Sequence, residues 1–98
     1  MESSMIDEFI AMTQRIIQRE GFEGYLPTLL LPTRKDVRVL EGVPPEVDIE
    51  VAATKWAAKS VEPNEDFLLA FKINENSFKV VSRINGNNHE NICNVQSA

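Results

Sequence analysis

The chain of 98 residues has the length of one domain, and 43% of its residues are hydrophobic and 26% charged, which is enough apolar material for one core. Fifteen acidic residues against ten basic ones give a net charge of −5, which disfavours a nucleic-acid binder because such proteins normally carry a basic excess. The single cysteine excludes an intramolecular disulfide and a zinc site built on a cysteine pair.

The sequence predicts a cytoplasmic protein without membrane contact. Its first residues are acidic, whereas a secretory signal needs basic residues followed by an apolar run. Its longest apolar runs are far shorter than the roughly 20 residues of a membrane-spanning helix.

The first predicted element is an amphipathic helix over Ser4–Glu20. Its apolar residues recur at the spacing of one helix face. They are Met5, Ile6, Phe9, Ile10, Met12, Ile16 and Ile17. Gly21 is placed to end the helix in a left-handed cap.

A first β-hairpin follows, with strands predicted over Thr28–Leu31 and Val37–Leu40. The prolines at 27 and 32 flank the first of these strands, so we expect a short strand at a sheet edge. Tyr25 comes just before it, and a buried tyrosine needs a hydrogen-bond partner. We therefore expect Tyr25 to line a small cleft between the first helix and the sheet.

A second helix is predicted over Glu46–Ser60, followed by a second hairpin with strands over Asp66–Ile73 and Phe78–Ile84. The fold class is therefore α+β in the order αββαββ. We expect a four-stranded antiparallel sheet with two helices packed on one face. Residues 1–84 form the predicted domain, and the polar, Asn-rich segment 85–98 is either a short fifth strand or a disordered tail.

The second hairpin alternates in a way that predicts an inward and an outward side. The inward set is Phe67, Leu69, Phe71, Ile73, Phe78, Val80, Ser82 and Ile84. Four basic residues then occupy an open sheet face, namely Arg38, Lys72, Lys79 and Arg83. This face would suit an acidic peptide, although an ordinary solvated sheet face explains the same residues and is the interpretation we prefer.

The second helix has two apolar stripes. Val47, Val51, Thr54 and Ala58 form the stripe that we expect on the sheet. Ile49, Ala53, Trp56 and Ala57 form the other, which we expect at a twofold interface between two copies, with Trp56 as its anchor. Packing of Trp56 within the chain is the alternative.

The sequence contains no recognisable catalytic, cofactor-binding or metal-binding motif. Its four glycines share no phosphate-binding pattern. His89 and Cys93 are four residues apart and would share a face on a helix, but the asparagine-rich flanks disfavour a helix there. We interpret them as a surface histidine and an incidental thiol.

Three functions are compatible with these patterns. The first is a non-enzymatic protein-interaction module, an adaptor or chaperone-like protein that acts as a homodimer. In helix–hairpin order and acidity the chain resembles small secretion chaperones, which bind effector segments on an exposed surface. The second is a small enzyme or ligand-binding subunit whose site, drawing on Tyr25, Lys55 or Arg83, is completed at a dimer interface. The third is an inhibitor or immunity-type protein that presents acidic loops to a basic partner.

Overall fold

The computed structural model describes residues 2–95 of the chain. Over this range its main elements are two α-helices and five β-strands, and a 3-10 helical turn, Pro32–Arg34, joins the first two strands. The helices and strands are α1 (Glu2–Glu20), β1 (Thr28–Leu31), β2 (Asp36–Val39), α2 (Ile49–Ser60), β3 (Phe67–Asn74), β4 (Ser77–Ile84) and β5 (Asn87–Asn94). The α+β class and the order of elements through β4 are as predicted, but the described residues contain five strands and not four.

The strand pairs of the described residues are antiparallel, and the sheet order is β2-β1-β3-β4-β5. The expectation that Thr28–Leu31 is an edge strand is therefore wrong, because β1 lies between β2 and β3. The fifth strand follows from the Asn85–Gly86 turn, in which both residues have positive φ, 53° and 82°. This conformation is typical of a two-residue hairpin turn whose twist matches the flanking strands. β5 therefore pairs with β4 along its whole length and belongs to the same sheet. Residues 96–98 of the predicted C-terminal segment lie outside the described range.

Helix α1 packs on one face of the sheet, called the α1 face below. Its apolar stripe, with Ile6, Phe9 and Ile17 buried, contacts the middle of β3 and β4. The sheet residues in this cluster are Leu68, Ala70, Phe78, Val80 and Ile84. Gly21, with φ +88°, ends the helix as predicted, and its N–H donates to the Ile17 carbonyl at 2.7 Å.

Helix α2 packs on the opposite face, called the α2 face. Ala53 and Ala57 are buried against side chains of β1 and β3, which are Leu29, Leu31, Leu69 and Phe71. The helix begins at Ile49 because Asp48 caps it, and its carboxylate accepts hydrogen bonds from Glu50 N–H (2.8 Å) and Val51 N–H (3.3 Å). It therefore starts three residues later than predicted.

Both helices thus pack on the sheet, but each covers a different face, which corrects the expectation of two helices on one face. Neighbouring residues of β3 belong to different clusters, Leu68 to the α1 face and Leu69 to the α2 face. The predicted inward set is divided accordingly. Phe67, Leu69, Phe71 and Ile73 lie on the α2 face, and Phe78, Val80, Ser82 and Ile84 lie on the α1 face.

A β-bulge in β3 causes this division. At the turn, Asn74 pairs with Ser77. Two residues earlier, Lys72 pairs with Phe78, so the register has shifted by one and Ile73 is the extra residue. A one-residue shift moves every later side chain to the other face. Without the bulge, the aromatic sides of β3 and β4 would share one face, as alternation alone predicts.

Within residues 2–95, neither helix combines the length and the apolar composition that crossing a lipid bilayer requires.

Candidate functional site

Each helix covers only part of its face, so the molecule has an open apolar strip on each side of the sheet. On the α1 face the helix lies over β3 and β4 and leaves the edge strand β2 open, whereas Leu30 of β1 packs against the cluster beneath the helix. A cleft of about 360 Å³ lies between the helix and strands β1 and β2; we call it the α1 cleft. Its apolar lining includes Met12, Ile16, Tyr25, Leu26, Val37 and Val39.

The α1 cleft is bordered by aliphatic side chains that remain in contact with water. Leu26 is 41% exposed, Val37 52% and Val39 48%. Single exposed aliphatic residues are ordinary, but a contiguous group beside a cleft is typical of a surface that binds something. These three residues were not among the predicted site residues. Val37 and Val39 flank Arg38 in the sequence. Their exposure could not be predicted, because the sequence does not show that α1 stops short of β2.

Tyr25 lines this cleft, as predicted, and its hydroxyl is satisfied. It donates to Thr28 Oγ1 at 3.3 Å, and the Thr28 hydroxyl in turn donates to the Leu26 carbonyl at 3.1 Å. Burial raises the pKa of the Tyr25 phenol above its ordinary value, and the hydrogen bond to Thr28 offsets part of that effect. The phenol is therefore neutral at physiological pH and acts as a hydrogen-bonding group in an apolar wall.

The charge at the α1 cleft is small. Glu20 is the ionisable side chain on its rim besides Tyr25. Its carboxylate pairs with Arg19 at 2.8 Å, and both side chains are well exposed, so the pair contributes little energy. The cleft therefore offers apolar surface rather than a charged or nucleophilic centre.

A second groove, of about 390 Å³, lies on the α2 face beside the C-terminal half of α2; we call it the α2 groove. Its walls include Thr54, Ala58, Val61, Phe67, Val81 and Arg83. The Arg83 guanidinium donates to the carbonyls of Glu62 (3.1 Å) and Glu65 (3.0 Å) and lies 5.4 Å from the centre of the Phe67 ring. Arg83 thereby fastens the loop after α2 to the sheet.

The four basic residues predicted for one open face are not brought together. Lys72 lies on the α1 face, 4.9 Å from the centre of the Phe22 ring. Arg38, Lys79 and Arg83 lie on the α2 face, where α2 stands over β1 and β3 and separates Arg38 from the other two. Docking of an acidic partner on this set stays a prediction, without a common surface to support it.

Two of these cations are also engaged in ion pairs. Lys79 Nζ lies 3.0 Å from a Glu50 carboxylate oxygen and 3.9 Å from one of Glu90, and the hydrogen bond to Glu50 raises the pKa of the lysine. Arg38 Nε lies 2.8 Å from an Asp36 carboxylate oxygen.

The stripe of α2 predicted for a dimer contact faces the sheet of its own chain. Ala53 and Ala57 are 0% and 3% exposed, and Trp56 packs against the same cluster. The stripe expected on the sheet is instead open, with Val51 48% exposed. Small alanines suit this position because the sheet presents large leucine and phenylalanine side chains there. Ile49, the fourth residue of the predicted interface, is half-buried.

Residues proposed for an enzymatic or ligand-binding site lie apart within one chain. Tyr25 is in the α1 cleft, whereas Arg83 lines the α2 groove on the opposite face. Lys55 is exposed on α2.

The acidic loop proposed for an inhibitor is partly used in internal contacts. The Glu65 carboxylate accepts hydrogen bonds from Arg34 Nε at 2.6 Å and from the Glu62 N–H at 3.0 Å, and the bond to Arg34 is the main reason why the pKa of Glu65 is lowered. The Asp66 carboxylate accepts a hydrogen bond from the Asn85 N–H at 2.9 Å. These two carboxylates hold the loop in place.

Comparisons of the chain with protein-family models, curated proteins and solved structures produced no match. In the part of the chain from residue 2 to residue 95, no three His, Cys, Asp or Glu side chains are grouped so that they could hold a metal ion. Function is therefore inferred from the geometry of this chain alone.

Proposed function

We propose that this chain is a non-enzymatic protein-interaction module, adaptor or chaperone-like, that acts as a homodimer and holds an apolar segment of another protein in the α1 cleft. The observation that carries this proposal is the group of exposed aliphatic side chains, Leu26, Val37 and Val39, beside a preformed cleft. Covering such side chains removes apolar surface from water, which is the main driving force of protein association.

The size and the lining of the α1 cleft suit side chains rather than a cofactor. Its volume of about 360 Å³ lies near the lower end of the range of about 300–1,000 Å³ for ligand sites. Aliphatic groups from Met12 and Ile16 form one wall and the valines of β2 form the other. A few aliphatic side chains of a partner, carried on an extended or helical segment, would fill it.

The hydroxyl pair at the base of the cleft supports the same occupant. Tyr25 and Thr28 satisfy each other and the Leu26 carbonyl, so an apolar side chain can cover them without leaving a buried polar group unpaired.

Fluorescence polarisation with a labelled peptide of about ten residues that alternates valine and serine tests the proposal. Replacing an apolar contact by a carboxylate in the cleft, as in Val39→Glu, removes the burial of one valine, worth about 1.5–3 kcal/mol, so we expect affinity to fall at least about tenfold. The matched control is Ile92→Glu, because Ile92 is 63% exposed on the strand at the other edge of the sheet.

A wild-type chain that binds neither this peptide nor a valine–lysine analogue of it would contradict the proposal. Equal loss of binding in Val39→Glu and Ile92→Glu would also contradict it, because the effect would then come from charge and not from the cleft. Circular dichroism of both variants confirms that they are folded.

A further inference from the structure

The sheet has two edges, β2 and β5, each with one row of backbone groups that no strand of the described chain pairs. Such an edge is a template for another strand unless it is protected. The two edges differ in their side chains. β2 carries Val37 and Val39, both about half exposed, whereas β5 carries a single exposed aliphatic residue, Ile92, among asparagines. Covering β2 therefore removes more apolar surface from water.

We propose that a second copy of this chain covers that edge, by antiparallel pairing of the two β2 strands about a twofold axis that passes beside Val37. This proposal rests on the homodimer of the proposed function and names its interface. It places Val37 of one copy directly opposite Val37 of the other on the α1 face.

Charge complementarity selects this register. With Val37 at the axis, Arg38 of one copy lies opposite Asp36 of the other. The twofold axis repeats this pair, so that Asp36 of the first copy lies opposite Arg38 of the second. Both residues lie on the α2 face, because Arg38 pairs with Leu29 and Asp36 with Leu31 within the chain. Opposite charges directly across an antiparallel pair stabilise it, whereas a register shifted to Arg38 would set two arginines face to face.

The pairing would also enlarge the α1 cleft. An antiparallel pair around an axis normal to the sheet keeps its faces, so α1 of both copies lies on the same side. The two β2 strands, open on that side, then form one continuous floor between the two α1 clefts. Val37 and Val39 of both copies lie on this floor, and each copy thus contributes residues to the site of the other.

The contact is short. Three residue pairs are a small area beside the about 1,200–2,000 Å² of stable interfaces, so we expect a dimer that dissociates on dilution. Cross-linking detects such a dimer directly. In a Cys93→Ser background, Val37→Cys sets two thiols at the distance of directly opposed residues, with Cα atoms about 4.5–5.5 Å apart, within the range that a disulfide requires.

Two cysteine variants serve as controls in the same background. Arg38→Cys sets its thiols two positions out of register, beyond the about 7 Å limit for a disulfide. Ile92→Cys is at the other edge. On mild oxidation we expect most of the Val37→Cys chain to become a covalent dimer and less than about a tenth of either control. Cross-linking of Val37→Cys that does not exceed that of the controls overturns the proposal.

A charge exchange tests the register by sedimentation equilibrium. Arg38→Asp and Asp36→Arg each place like charges opposite one another, and we expect either change to raise the dimer dissociation constant at least about tenfold. The double exchange restores both the interchain and the intrachain pair and should return the constant to within about threefold of wild type. Single variants that dimerise like wild type, or a double exchange that does not recover, overturn the register.

The outcomes separate this pairing from the function of the cleft. A wild-type chain that stays monomeric at high micromolar concentration and yet binds the valine–serine peptide refutes the β2 dimer and leaves the cleft function standing. Cross-linking through Val37→Cys without peptide binding supports the β2 dimer and refutes the binding function of the cleft.

Discussion

Leu68 and Leu69 are consecutive residues of β3 that are buried on opposite faces of the sheet, 0% and 2% exposed. Leu68 packs beneath α1, and Leu69 packs beneath α2. If both faces are core, truncation of either residue leaves a cavity. We expect Leu68→Ala and Leu69→Ala each to lower the free energy of unfolding by about 2–5 kcal/mol.

The size of this effect makes it measurable by urea denaturation. A domain of this length has a total stability of about 5–15 kcal/mol. With a slope of about 2 kcal/mol per M urea, the middle of the usual range, each midpoint should fall by about 1–2.5 M. Far-UV circular dichroism follows the whole domain. The fluorescence of Trp56, the single tryptophan, follows the α2 face on which it packs. Coincident transitions from the two probes would indicate that both faces unfold together.

Ile92→Ala is the matched control, because Ile92 is 63% exposed on β5 and its truncation should change stability by no more than about 0.5 kcal/mol. If either leucine variant has a free energy of unfolding within about 0.5 kcal/mol of wild type, the reasoning is refuted. One face of β3 would then be solvent-exposed, and the helices would share the other.

Three further measurements test individual contacts. Ser82 is fully buried and its hydroxyl has no hydrogen-bond partner among residues 2–95, so Ser82→Ala should raise the free energy of unfolding by about 1 kcal/mol in thermal denaturation. Arg34 lowers the pKa of Glu65 in the folded chain. The contribution of this carboxylate to the free energy of unfolding is therefore complete above the ordinary carboxyl pKa of 4.5, and it is lost as pH falls through the folded pKa. Glu65→Gln should therefore lower the melting temperature at neutral pH, and the difference should shrink in acid. Burial raises the pKa of the Cys93 thiol, so its alkylation at mildly alkaline pH should be slower in the folded chain than in urea.

Local sequence signals predicted most of the elements. The apolar spacing of α1 and the prolines around β1 act within a few residues, and each predicted its element. The prolines did not predict the place of β1, which pairs with both β2 and β3 and is not at a sheet edge. β1 has the predicted bounds, Thr28–Leu31. The fifth strand, which the sequence left open, forms because a two-residue turn with positive φ returns the chain directly alongside β4.

The division between the faces was not predictable from alternation, because it depends on one residue of register. The bulge at Ile73 has no sequence signal of its own. The run from Phe67 to Phe71 does, however, indicate that β3 is buried on both faces. Five consecutive apolar residues are typical of a strand that is buried on both faces. That run could have indicated a helix on each side of β3.

The two stripes of α2 were exchanged for a related reason. A helix that is apolar on two sides does not indicate which side meets the sheet. Ala53 and Ala57 face large residues such as Phe71, and the close approach that small side chains allow decided the orientation. Residue volume on the facing strand was the missing information, and it depends on the same register.

Because of the bulge at Ile73, the faces on which the side chains of β4 lie depend on the number of residues in β3. Deleting that single residue would leave an unbroken ladder from the turn at residues 75–76 and rotate the β4–β5 hairpin by half a turn about its own axis. Phe78 and Val80 would then meet α2, while Lys79 and Arg83 would be driven under α1. We therefore expect homologous chains to tolerate other apolar side chains at this position, where Ile73 packs against the α2 cluster, and to keep the number of residues between Phe71 and Phe78 unchanged.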